Sequence, residues 1–146
     1  MATRNSAAVK SSRSRTVGRI VLGSVLLFAG ISHLSFAREA FRAQVPEWLP
    51  LEPDTVVLAS GVVEIALGGA LVALPRQRTA VGLVVALFFV AIFPGNVSQL
   101  TTHTDSFGLN TDAARGTRLI FQPLLVIWAL WSTGAWSALR ARRATR

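Results

Sequence analysis

The chain of 146 residues has no cysteine, two histidines and little charge, with only 15% of its residues ionisable. The missing thiols exclude disulfides, thiolate metal sites and thiol–disulfide chemistry carried by the chain itself. Two histidines, one of them (His103) in a polar loop, and no His/carboxylate pair at ligand spacing leave no metal site. There is no Ser-His-Asp arrangement, phosphate loop or dinucleotide fingerprint. Acids are scarce as well: 7 against 15 lysines and arginines, a net charge of +8. That excess does not read as a nucleic-acid surface, because the basic residues sit at the ends of apolar runs and no aromatic-interleaved basic patch accompanies them.

What the chain has in quantity is apolar sequence, 51% of its residues. Its charges are clustered and long stretches carry none, the pattern of an integral membrane protein. A bilayer core is about 30 Å thick and a spanning helix needs about 20 mostly apolar residues. Four windows meet that length, at about 17–36, 55–74, 80–100 and 117–138. The expected fold is therefore all-α, a transmembrane four-helix bundle over residues 16–139 with no separate soluble domain. The first fifteen residues read as a disordered basic tail and residues 140–146 as a second basic tail.

If four spans alternate, Arg4, Lys10, Arg13, Arg15, Arg19, Arg76, Arg78, Arg140, Arg142, Arg143 and Arg146 fall on one side, and only Arg38, Arg42, Arg115 and Arg118 on the other. By the positive-inside rule both termini are cytoplasmic. A cleavable signal peptide ending at Ser35 and Ala37 is the competing reading of the first apolar run. It would leave three spans and disturb this partition. Between the first two spans, "FAREAFRAQVPEWLP" places Phe36, Ala40, Phe41 and Val45 on one helical face. That pattern suggests a short helix in the outer interface, ended by Pro46 and Pro50, with Trp48 as its anchor.

One acid lies inside an apolar run: Glu64, in "SGVVEIALGGALVAL". Counted from Asp54 at about 1.5 Å per residue it lies roughly 15 Å deep, near the midplane. A charged acid there costs about 2.5–3.5 kcal/mol on insertion scales, so it should face the bundle. Counting depth on the other spans places His33, Asn96, Gln99, Arg118 and Gln122 in the same outer half, while the inner half holds little beyond Ser24 and Ser132. Arg118 and Gln122 are four apart and share a helix face. Pro94 and Pro123 stand beside this cluster and are expected to kink the third and fourth spans. Ser60, Gly61, Gly68 and Gly69 give the second span a small face for close packing. Each polar residue also has a plain reading: Glu64 as interhelical glue, His33 as a structural donor, Asn96 as a cap of the proline kink, Arg118 as a snorkelling end residue. Five such groups in one leaflet, His33, Glu64, Asn96, Arg118 and Gln122, make a candidate ligand pocket.

The segments "AGISHLSFAREAFRAQVPEWLP", "ASGVVEIALGGALVALPRQR", "FVAIFPGNVSQL" and "RLIFQPLLVIWAL", in that order, resemble the DoxX-like family of small bacterial membrane proteins. The resemblance covers about residues 20–135. It implies a four-helix transmembrane bundle in the bacterial cytoplasmic membrane and matches the five polar residues to recurrent polar positions of the family. It also implies a link to quinone-coupled sulfur oxidation or to oxidative-stress complexes. Leu34 stands after the histidine where relatives commonly have phenylalanine, a change expected to alter packing more than chemistry. Without cysteine, any redox role must run through a bound quinone or a partner. The expected function is a membrane subunit of such a complex with a quinone-binding pocket. A structural or assembly protein is the alternative, and a proton-coupled transporter a third reading, weakened by the apolar inner half and the lack of an internal repeat. The expected partners are the lipid bilayer and a redox protein or a second copy of the chain, and no nucleic acid.

Overall fold

A computed structural model describes residues 12–144, and among them every regular element is helical. The helices are α1 (Arg13–Leu34), α2 (Arg38–Arg42), α3 (Pro53–Ala73), α4 (Arg78–Thr101), α5 (Asp112–Thr133) and α6 (Ala135–Ala144), with a single 3-10 turn at Pro75–Gln77. The first part of the expected N-terminal tail, residues 1–11, lies outside the described residues, as do residues 145–146. Residues 13–15 are already helical, started by the Ser12 hydroxyl, which accepts from the N–H of Arg15.

Three helices are long and apolar enough to cross a membrane, and a fourth qualifies if α5 and α6 count as one span. Their side chains support that reading from the outside as well. Phe28, Val62, Leu87, Val90, Ile120 and Phe121 are all more than half exposed on the flanks of the long helices, so each of the four turns large apolar side chains outward, as a lipid-facing surface requires. The fourth span departs from its expected range of 117–138. Thr133 ends α5, Gly134 takes the left-handed conformation at φ 76°, and α6 leaves at 79° to it. A glycine just past the last helical residue is a common stop because it has no Cβ to clash there. The basic residues Arg140, Arg142 and Arg143 therefore sit on a short helix turned across the end of α5 and not on a free tail. Both α4 and α5 remain helical through Pro94 and Pro123, so neither proline ends its span.

The four long helices run alternately up and down. Two of them, α1 and α3, form one tight pair and α4 and α5 another, while α1 touches α5 and α3 touches α4 only sparsely. Glycines explain the first pair. Gly23 meets Gly68 and Gly30 meets Gly61, seven residues apart on each helix, and a methyl group added at any of the four would press on backbone or side chain within 2.6 to 2.8 Å. Small residues at such crossings let backbones approach and maximise dispersion contact where lipid supplies no hydrophobic drive. Gly69 belongs to no such contact: it faces open space. Leu22, Leu26, Leu71, Val85, Ala86, Phe89 and Ala129 fill the centre between the pairs.

The end carrying the tight turn and α6 is closed by polar clamps. Arg19 is buried and donates to the carbonyl oxygens of Leu71 and Val72, groups left without helical partners at the end of α3. Trp128 donates its indole N–H to Gly18 O across 3.0 Å. The opposite end carries the long α1–α3 connection and the α4–α5 loop, and there the bundle is hollow.

Candidate functional site

Of the six polar residues placed by depth, the five pocket candidates His33, Glu64, Asn96, Arg118 and Gln122 line one cavity at the long-connection end, with a volume of about 470 Å³, and Gln99 does not line it. That lies within the range of small-molecule sites, about 300–1,000 Å³. His33 stands in the last turn of α1 and Glu64 halfway along α3, and the Gly30–Gly61 crossing brings them together. A methyl at Gly61 would come within 2.7 Å of the His33 Cβ. Both side chains are over nine-tenths buried. His33 Nδ1 lies 2.8 Å from Oε2 of Glu64 and 3.0 Å from the Ala29 carbonyl oxygen. A backbone carbonyl can only accept, so Nδ1 carries the hydrogen. Its N–H is aligned with Ala29, and the carboxylate lies close but out of line. Oε2 of Glu64 is consequently buried without a hydrogen bond of good geometry.

On the facing pair, the Asn96 amide donates to Gln122 Oε1 across 2.9 Å and Gln122 donates to Phe89 O across 2.7 Å. The missing N–H of Pro94 unpairs the Val90 carbonyl, and the Gln122 amide ties down α4 at the neighbouring Phe89 carbonyl, beside that weakened rung. Arg118 is held by two amide oxygens, Gln44 Oε1 at 3.0 Å and Gln99 Oε1 at 3.4 Å, with its guanidinium carbon 5.6 Å from the centre of the Phe107 ring. Among the described residues no carboxylate lies within ion-pair distance of Arg118, although it is largely enclosed.

Several participants come from outside the five. Phe41 of α2 stacks on His33 with ring centres 3.4 Å apart and meets Phe107 edge-on at 4.6 Å. Gln44 lines the cavity and donates to Ser106, which in turn donates to Ala40 O. Phe36, expected on the same face as Phe41, is instead three-quarters exposed. The two connections are thereby laced into a roof. Arg115 strengthens it from below: it is buried, donates to Thr104 O across 3.3 Å, and pairs with Asp105 and Asp112. Outside the roof, Arg38 pairs with Asp54, and that hydrogen bond makes the guanidinium hold its proton more tightly than usual.

The rest of the wall is apolar, including Leu26, Val57, Ile92 and Leu125, with Pro46, Trp48 and Leu49 at the connection. An acid and an imidazole stand at one side of the cavity, a guanidinium at the other, and hydrocarbon between. Such a site can orient an amphiphilic molecule with a polar head and move a proton at Oε2. Among the described residues no group of three acids or histidines could hold a metal ion.

A family model for a domain of unknown function, DUF8561, matches residues 22–133, well over half of the chain and every residue of the cavity cluster. The chain belongs to that family. No curated protein and no solved structure matches it.

Proposed function

We propose that this chain is a DoxX-like, four-span protein of the bacterial cytoplasmic membrane, with both termini on the cytoplasmic side. In this reading it is a membrane subunit of a redox or oxidative-stress complex, and the cavity holds the head group of a quinone-like molecule. The carrying observation is the buried Oε2 of Glu64, left without an aligned donor on the wall of a 470 Å³ cavity that also holds Arg118. A buried acceptor with no partner is costly, and a ligand is the simplest supplier of one. Glu64 takes or gives a proton at Oε2, Arg118 binds the opposite oxygen, His33 holds the carboxylate from behind, and Asn96 and Gln122 shape the floor. The apolar wall suits a ring and its hydrocarbon tail. Protein purified from its native membrane in mild detergent should carry a quinone near one-to-one or bring a redox enzyme with it, both read by mass spectrometry. An empty cavity with no redox partner overturns the reading.

The structural alternative has its own support in the Asn96–Gln122–Phe89 chain, which is complete without any ligand. Under that reading Glu64→Gln leaves the Asn96–Gln122–Phe89 chain intact and changes only the contact with His33. Under the ligand reading it removes the group that takes the proton, so quinone-dependent activity is lost while folding is kept.

A further inference from the structure

We infer that the cavity discriminates between the two redox forms of an aromatic head group and favours the reduced, dihydroxy form. The inference rests on the reading of the cavity as a quinone-type site and adds which form it holds.

The hydrogen-bond inventory around Glu64 decides the direction. Nδ1–H of His33 is aligned with Ala29 O, and Oε2 receives no aligned donor. Ser60 is one turn before Glu64 on the same face and also lines the cavity, but its hydroxyl donates to Val57 O across 2.9 Å. The Asn96 and Gln122 amides donate to Gln122 Oε1 and Phe89 O. Glu64 therefore presents an acceptor at the cavity wall that the protein approaches only with the out-of-line Nδ1 of His33, 2.8 Å away, and fills with no aligned donor. At the other side Arg118 is the reverse case. A guanidinium has five N–H donors and no acceptor, and its two partners in the protein are neutral amide oxygens. A fitting ligand must donate at Glu64 and accept at Arg118.

A hydroxyl can do both. A dihydroxy ring gives its O–H to Oε2 of Glu64 and presents its second oxygen to Arg118. The corresponding dione can satisfy Arg118 but sets a carbonyl oxygen against the carboxylate, so two acceptors face each other in a low-dielectric site. Unmade hydrogen bonds of buried groups are what specificity sites exploit. Glu64→Gln supplies an amide N–H at the same position and should welcome either form.

The test uses the full chain in detergent micelles under anaerobic conditions, with three probes of one ring: a short-chain benzoquinol, the matching benzoquinone, and the dimethyl ether of the quinol. Binding is read by quenching of Trp48, which lines the cavity, with Trp48→Phe protein to subtract the other tryptophans. The quinol should bind about tenfold or more tightly than the quinone, the ratio that about 1.4 kcal/mol produces, and the dimethyl ether should bind as weakly as the quinone. In Glu64→Gln the gap should close. Equal affinities, or tighter quinone binding, in the natural protein overturn the inference and leave the cavity reading standing. So does a Glu64→Gln protein that keeps the preference. Failure of all three probes to quench Trp48 overturns the cavity reading itself. The comparison of quinol with its dimethyl ether needs no variant, so it stands even if Glu64→Gln does not fold.

Discussion

Gly30 of α1 lies against Gly61 of α3 so closely that a methyl group on Gly30 would stand 2.6 Å from the Gly61 carbonyl oxygen. This crossing, repeated at Gly23 and Gly68, sets the separation at which His33 and Glu64 meet. Gly68→Ala should therefore destabilise the protein, because overpacking a tight contact costs about 1–3 kcal/mol. Gly69→Ala is its internal control. Nothing lies within 4 Å of that position, and alanine is better than glycine in a helix by about 0.5–1 kcal/mol. Thermal unfolding in detergent should place Gly68→Ala below the parent and Gly69→Ala at or above it. The reverse order would remove the glycine crossing as the source of the α1–α3 spacing.

Gly134 tests the turn between α5 and α6. At φ 76° it occupies a conformation that costs other residues roughly 1–2 kcal/mol. Gly134→Ala should lower stability by about that amount. It should also let α6 continue the line of α5, which spin labels on Trp128 and Leu139 positions would report as a longer distance. An unchanged distance would show that contacts of α6, and not the glycine, set the 79° turn.

Much of this arrangement is legible from the residues, and the illegible parts share a cause. Span length and the depth of Glu64, Asn96, Arg118 and Gln122 follow from counting along single helices, so the convergence of these groups can be anticipated. Partners supplied by distant chain cannot. Gln44 reads as one polar residue in a connection, and only the fold puts it on Arg118. Phe41 reads as half of an interfacial stripe, yet it turns inward onto His33. Arg19 and Arg115 count as topology signals in sequence, but both are buried and bond to backbone carbonyl oxygens. The end of α5 carries one local signal, the glycine at Gly134, but the apolar window runs on through Trp136 and hides it.

Glu52 gives the protein an acid-sensitive feature. It caps α3, accepting from the Thr55 N–H across 2.8 Å, and this bond with that from the Asp54 N–H holds its carboxyl below the ordinary range. A depressed folded value stabilises the protein above the unfolded value, about 4.3 for a glutamate. The contribution fades as pH falls through that range towards the folded value. Unfolding temperature should thus decline on acidification, and Glu52→Gln should start lower at neutral pH and decline less. Parallel curves for the two proteins would show that the cap does not govern the acid response.

The pair at the cavity wall, His33 and Glu64, makes the sharpest claim about energetics. Removing one member of a buried pair leaves the other without compensation, at about 3–5 kcal/mol, whereas replacing both by apolar residues of similar size is often neutral. His33→Leu takes away the imidazole 2.8 Å from the buried Glu64 carboxylate and should destabilise the protein strongly. Glu64→Leu added to it removes the stranded group, so the double variant should regain most of the loss. The two single losses should sum to well over the double loss, and the difference is the coupling of the pair. Function should part from stability in the same set. The double variant folds but has no acceptor at the cavity wall, so it should bind benzoquinol and benzoquinone alike. If His33→Leu is as stable as the parent, the 2.8 Å approach of Nδ1 and Oε2 carries no energy. Glu64 must then be balanced from the cavity alone.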